Sequence, residues 1–260
     1  MFQFSNPNDL NTYNNYIRII PARPFTNLLV QVFFTEINFL YGTLHQPMFT
    51  KILDEWWTLA TTSTPVGDAN SIYLSPLPAA KGFGNDPYLF KDIHFFPSLL
   101  LQVLSLAVQL LPREHHDFVS QIKLGMCETF HDLSVRFSNA SCELASLLSG
   151  TCSLSLSRVQ QPFLRATWLK NEGRMHEAWH CLGMAIRSAQ EQGLHLENGS
   201  RNSSNLGSTL LRGMGNGVRL AAPSSMDEQL KMMWYRELEK RVWINLYSWD
   251  RYVFSPHNLS

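Results

Sequence analysis

A chain of 260 residues with 45% hydrophobic side chains can bury a sizeable core, and its 21 basic residues are balanced by 21 acidic ones. That hydrophobic share excludes a disordered polar chain. The charge balance leaves no excess positive field to draw the whole chain onto a phosphate backbone or an anionic membrane, so any nucleic-acid contact has to be local.

The opening residues, MFQFSNPNDLNTYNNYIR, lack a basic segment followed by an apolar one, which predicts an intracellular start and an N-terminal tail over residues 1–18. After Pro24, the residues Leu28, Leu29, Val32, Phe33, Ile37 and Leu40 fall at helical intervals and predict a helix over about 25–41 that buries Phe33 and Leu40. A shorter helix is expected from Pro47 through Trp57, because proline tolerates a first helical turn and Phe49, Ile52 and Trp56 repeat at three and four. The two should pack as a hairpin.

Residues 61–97 change to Thr, Ser, Gly, Pro and Asn, with Pro65, Pro76, Pro78 and Pro87 barring a helix, and so predict a long loop. The leucine-rich run Ser98 to Leu111 is apolar on most sides and stops at Pro112, as expected of a helix in the middle of a bundle. It is too short to span a bilayer and contains Gln102 and Gln109, so no membrane segment is expected. A helix over Asp117 to Ser138 would carry Phe118, Ile122, Leu124, Phe130, Leu133 and Phe137.

Another helix should open near Ser155 or Ser157, with Ser157 and Gln160 as a capping box, and run to about Leu169. Beyond a break at Asn171 to Gly173, a helix over Met175 to Gln192 is expected to bury Met175, Trp179, Leu182, Ile186 and Ala189. Gly193 stands where a helix commonly ends in a left-handed residue. Residues 197–224 are rich in Asn, Gly and Ser and predict a flexible linker. Ser225 with Glu228 is a second capping-box candidate, opening a helix with Leu230, Trp234, Leu238, Val242, Leu246 and Trp249 that runs to about Tyr252. Sustained alternation is scarce and no fixed repeat of 34 or about 40 residues is visible. The fold class is therefore all-α, an irregular multi-helix bundle of paired helices with two long loops.

Three segments, Ile19 to Phe49 with its LHQPMF ending, Gly173 to Glu197 with EAWHCLGMAIRSAQEQGLHLE, and Glu237 to Tyr252 with ELEKRVWINLYSWDRY, taken in that order resemble the fungal-specific transcription factor domain, the middle homology region of zinc-cluster regulators. Ile19 to Phe49 is similar to the family's opening helix, its Asn and Tyr turn, and its Leu-His-x-Pro-x-Phe ending, here Leu44, His45, Pro47 and Phe49. Gly173 to Glu197 resembles the Ala-Trp, Gly-x-Ala-x-Arg and Gly-Leu-His signature, here Trp179, Gly183, Arg187, Gly193 and His195. Glu237 to Tyr252 resembles the Glu-x-x-x-Arg-x-Trp, Leu-Tyr and Asp-Arg pattern, here Glu237, Arg241, Trp243, Tyr247, Asp250 and Arg251.

The residues also make sense by spacing. Glu237 and Arg241 form a favourable i, i+4 pair, and Trp243 and Tyr247 repeat that interval on a neighbouring face. Adjacent Asp250 and Arg251 point about 100° apart and are expected to reach different helices, where a buried member would need a partner. Gly183 is expected to admit a neighbouring helix, and Arg187 to extend toward the helix end.

The resemblance implies a non-enzymatic nuclear regulator of RNA polymerase II transcription over residues 19–256. In such relatives an N-terminal cluster of six cysteines holds two zinc ions and contacts CGG-type triplets. Cys127, Cys142, Cys152 and Cys181 include no C-x-x-C pair, so zinc and direct base reading are not carried over to any residue of this chain, and the cysteines are expected to be buried free thiols. DNA would be reached only through the missing cluster, with protein partners, a homodimer and a small-molecule effector left open. The family's helical region usually continues past Asp-Arg-Tyr, so the chain is expected to be truncated at its C-terminus, as a fragment, a misplaced start or a decayed paralogue.

Sharper readings are available. His115, His116 and Asp117 with His131 and Asp132 imitate the His-Asp doublets of helical metal-dependent phosphohydrolases, against the reading of solvated helix-end pairs. Trp56, Trp57, Trp179, Trp234, Trp243 and Trp249 could line a ligand pocket between helices, as a ligand-sensing module would need, or be core. Gly213, Gly215 and Gly217 follow no strand and read as linker. Lys231, Arg236, Lys240, Arg241 and Arg251 interleave with acids, as on a solvated helix face. No chemistry of the G-x-S-x-G elbow, P-loop lysine or H-E-x-x-H kind is expected of this chain.

Overall fold

The computed structural model describes residues 7–62, 93, 95–126, 129–149, 155–196 and 226–253. Among these it contains helices and no strand, as the three-and-four spacing predicts. In chain order they are α1 (Pro7–Ile17), α2 (Arg23–Glu36), α3 (Asn38–Tyr41), α4 (Gln46–Thr62), α5 (Phe96–Gln109), a 3₁₀ turn (Arg113–His115), α6 (His116–Met126), α7 (Phe130–Ser149), α8 (Ser157–Asn171), α9 (Met175–Glu191), α10 (Met226–Ser248) and a terminal π turn (Trp249–Val253). The two expected loops, at 61–97 and 197–224, fall mostly outside the described residues, as do Ser225, Gly213, Gly215, Gly217, Cys127 and Cys152.

The leucine run occupies the centre. Every residue of α5 from Phe96 to Val108 is buried, and α5 packs against α2, α7 and α8. An all-round apolar helix loses little by having no wet side, because neighbours cover every face. Its polar residues answer to α7, which runs along it. Ser141 Oγ donates to the Ser98 carbonyl at 2.7 Å, Ser138 Oγ to Gln102 Oε1 at 3.3 Å, and the hydroxyls of Ser105 and Ser134 each donate to the other's carbonyl at 2.8 Å. The positions descend on one helix as they rise on the other, as antiparallel helices require. Small side chains let the backbones approach, and each hydroxyl finds an acceptor inside the core, where an unmade bond would be costly.

The expected helix over 117–138 is two helices. Apolar spacing continues through the junction and hides it, but Thr129 caps α7. Its Oγ1 accepts from the Asp132 backbone N–H at 3.0 Å, and the Asp132 carboxylate accepts from the Thr129 backbone N–H at 3.0 Å. This reciprocal pair satisfies two donors at a helix start. Thr129→Ala should lower stability by about 1 kcal/mol in urea unfolding; an unchanged midpoint would show that the cap contributes nothing.

The capping box expected at Ser157 is corrected. Ser157 is the first helical residue of α8, preceded by a helical Leu156 that makes no side-chain cap, and Gln160 turns away to donate from Nε2 to the Thr43 carbonyl at 2.9 Å. Residues 7–17, expected in a tail, form α1 and place Tyr13 and Ile17 in the core, beside α7. Leu40 is 61% exposed although Phe33 is buried as predicted. The cause is the break at Ile37 (φ −124°, ψ −54°), which resets the helical phase between α2 and α3. Met175 to Glu191 is helical as expected, and Gly193 takes φ +72° after it. Leu194 N–H then reaches the Ala189 carbonyl at 2.9 Å, closing the left-handed turn.

Candidate functional site

The three sequence words converge along α10. In the first, Asn38 clasps the chain that follows α3: its Nδ2 donates to the Leu44 carbonyl at 2.9 Å, and its Oδ1 accepts from the Leu44 N–H at 3.0 Å. Gly42, at φ +56°, makes the left-handed bend that this clasp spans. Leu44 is buried, Pro47 sits in the first turn of α4, and Phe49 lies against Phe34 and Phe96 with centroids 5.6 and 5.0 Å away. His45 stacks on Trp234 of α10 at 5.9 Å.

The third word docks on the first and second. Asn245 Nδ2 donates to the Tyr41 carbonyl, and the Trp249 ring meets Tyr41 edge-on at 5.3 Å. Phe163 of α8 is fully buried against both, 6.2 Å from Tyr41 and 5.2 Å from Trp249. Lys170 Nζ lies over Trp249 at 4.9 Å. His195, in the Gly-Leu-His end of the second word, lies 5.8 Å from Trp243. Burial in this aromatic cluster pushes the Tyr41 phenol pKa upward.

Not every expected residue joins. Trp179 is 45% exposed, because α9 turns Ala178, Cys181, Leu182, Ala185 and Ala189 toward α8. Alanines allow closer approach than an indole, so the buried stripe is rotated away from Trp179. Among the described residues, a Cβ at Gly183 would meet only the Arg187 guanidinium, at 3.5 Å, and no neighbouring helix within 4 Å. Arg187 is thus folded back over Gly183 instead of extending to the helix end. Glu237 and Arg241 pair at 3.6 Å as predicted, with Lys240 at 4.0 Å from the same carboxylate. Asp250 and Arg251 are both exposed, and Arg251 lies over the Tyr247 ring of its own segment at 5.3 Å. They lock no buried pair between helices.

The His-Asp doublets do not assemble. Asp132 is the α7 cap, His131 Nδ1 is 3.6 Å from Glu172, His115 is 3.3 Å from Glu114, and His116 packs on Phe130 with its Nε2 3.3 Å from the Leu111 carbonyl. Among the described residues no three His, Cys, Asp or Glu side chains gather as a metal would need. Trp56, Trp57 and Trp249 are buried as core, and Trp179 and Trp234 are exposed. The cavity at the junction, about 20 Å³ between Leu44, His45, Phe96, Gln160, Tyr235 and Leu238, contains no tryptophan in its lining. A ligand pocket is roughly 300–1,000 Å³. Among the described residues no single helix is long and apolar enough to cross a membrane.

The expectation that the chain holds no H-E-x-x-H word is wrong, and the residues of the sequence itself overturn it. His176, Glu177 and His180 spell H-E-x-x-H on α9, a word legible without any structure. The ring centroids of His176 and His180 are 4.5 Å apart. Arg174 donates from Nε to Glu177 Oε1 at 2.6 Å and from Nη2 to Oε2, which holds the Glu177 carboxyl below its ordinary pKa.

The sequence profile of the fungal specific transcription factor domain matches residues 30–258, which take in the second and third words whole and the first from Val30 onward. The chain is 26% identical over 187 residues to the probable transcription factor sol4 of Alternaria solani, an alignment covering 70% of this chain and 27% of that protein. It is 25% identical over 193 residues to the transcription factor xilB of Penicillium rubens, covering 74% of this chain and 24% of that protein. The aligned stretch is thus about a quarter of the length of these curated relatives. No solved structure matches the chain. With a profile match over most of its length and the three matching words meeting along one helix, the chain belongs to the fungal specific transcription factor domain family.

Proposed function

We propose that this chain is the regulatory and interaction domain of a nuclear fungal transcription factor, controlling RNA polymerase II transcription by helix packing that constrains an attached DNA-binding segment, an activation segment or a partner. The family match carries this reading. A transcription factor domain is not an enzyme, and the doublets that suggested a phosphohydrolase serve as a helix cap and surface contacts instead. The names of both relatives, a probable transcription factor and a transcription factor, support the same direction. Zinc and CGG recognition belong, in this reading, to a cysteine cluster outside the domain.

The proposal is tested by fusing the full chain to a heterologous DNA-binding domain in a fungal reporter strain. Reporter transcription should differ from that given by the DNA-binding domain alone, and a nuclear signal should follow a fluorescent tag on the full-length protein. Identical reporter output with and without the chain overturns the regulatory role. Retention of a CGG-containing duplex by the purified chain, weakened by salt, overturns the division of labour.

A further inference from the structure

The H-E-x-x-H word on α9 takes no part in the junction of the three family words. Residues four apart stand one above the other on a helix, and both His176 and His180 are exposed. Their rings lie 4.5 Å apart, centroid to centroid, and are inclined at 78°. Two imidazoles on one helix face can each offer a nitrogen lone pair to one cation without any backbone movement. Being exposed, they need not be uncovered first, and only bound water has to leave.

The same word in zinc peptidases uses its glutamate as a general base beside a third protein ligand. Here Glu177 is held by two hydrogen bonds from Arg174, and among the described residues no third His, Cys, Asp or Glu completes the set. Peptide hydrolysis is therefore not what this geometry offers.

We propose that His176 and His180 form a two-imidazole chelate on the solvent face of α9 for a late first-row divalent cation, with copper(II) preferred. Imidazole suits copper, nickel and zinc, and divalent affinities peak at copper. Water fills the remaining coordination positions on this open face. Copper(II) takes a tetragonal set of nitrogen and oxygen ligands, which two histidines and solvent can supply. Binding displaces water and breaks no covalent bond. The cation ties together consecutive turns of α9 and stabilises the folded chain by mass action.

Trp179 makes the site observable. Its ring is 5.2 Å from that of His180 and is partly exposed, so paramagnetic copper held by the pair quenches its emission. The test uses the full chain with any affinity tag removed, stripped with chelator and titrated with copper(II) chloride. Fluorescence and the electron paramagnetic resonance of copper are both recorded. One equivalent should bind with two nitrogen ligands and raise the melting temperature. His176→Ala and His180→Ala should each weaken binding about a hundredfold, since losing one arm removes the chelate advantage. Both side chains are exposed, and circular dichroism checks that each variant remains helical. Glu177→Gln, His131→Ala and His195→Ala should keep the parent affinity, and Trp179→Phe should keep the copper resonance while losing much of the quenching. Parent affinity in either single histidine variant reveals an adventitious ion only and overturns the proposal. So does equal loss in His195→Ala, or zinc-dependent peptide cleavage abolished by Glu177→Gln.

Discussion

Replacing Phe163 with alanine should lower the unfolding free energy by about 3–5 kcal/mol, the range for removing a fully buried aromatic ring. The position has no exposed surface, and its ring stands edge-on to Tyr41 and Trp249. Truncation therefore leaves a void and removes two aromatic contacts, each worth about 0.5–1.5 kcal/mol beyond the area they bury. Phe163 stands at the point where the first and third words of the family pattern touch, so its loss should also loosen α10. Urea unfolding followed by far-ultraviolet circular dichroism measures the first effect, and amide exchange along 235–249 measures the second. A stability loss below about 1 kcal/mol would mean that the cluster collapses onto the space, contrary to the close packing of protein interiors.

Trp168→Ala should cost a similar amount, about 3–5 kcal/mol, for a different combination of reasons. Trp168 is 1% exposed, and its Nε1 donates to Ser134 Oγ at 2.9 Å. It therefore joins α8 to the serine ladder between α5 and α7. Trp168→Phe keeps most of the ring but not the donor, and should cost about 0.5–1.5 kcal/mol for the lost bond, plus the smaller volume. Ser134→Ala leaves the indole N–H buried without its acceptor and should cost about 1–3 kcal/mol. Because the two side chains form one interaction, a double-mutant cycle of Trp168→Phe with Ser134→Ala should show coupling of about 0.5–3 kcal/mol. Strict additivity would separate the indole from the ladder.

That ladder marks a limit of reading from sequence. Ser98, Ser105, Ser134, Ser138 and Ser141 look like solvent-facing residues when counted as polar, yet all are fully buried. A hydroxyl can enter a core only where another helix presents an acceptor within reach, and the pairing of α5 with α7 is not written in either segment alone. Trp179 shows the converse. Its size and spacing assign it to the core, but the close α8 and α9 pair favours the alanine face and leaves the indole at the edge. Two features, one unread and one wrongly taken as absent, were nonetheless legible. The Thr129 to Asp132 cap and the H-E-x-x-H word are both local patterns, the first masked by apolar residues running through the helix junction.

The local chemistry of the sequence determined the all-α class, the central place of the leucine run, the left-handed Gly193 and the Glu237 to Arg241 pair. Each of these depends on intervals of one to four residues or on the burial drive of a continuous apolar segment, so each is settled within one element. Tertiary structure alone decided that Tyr41, Phe163 and Trp249 form one cluster, that Gln160 reaches Thr43 instead of capping α8, and that Trp179 faces solvent. These outcomes depend on which helix faces meet across separations of tens to hundreds of residues. A helix fixes the angle between its own side chains; only its neighbours determine which of those angles points inward.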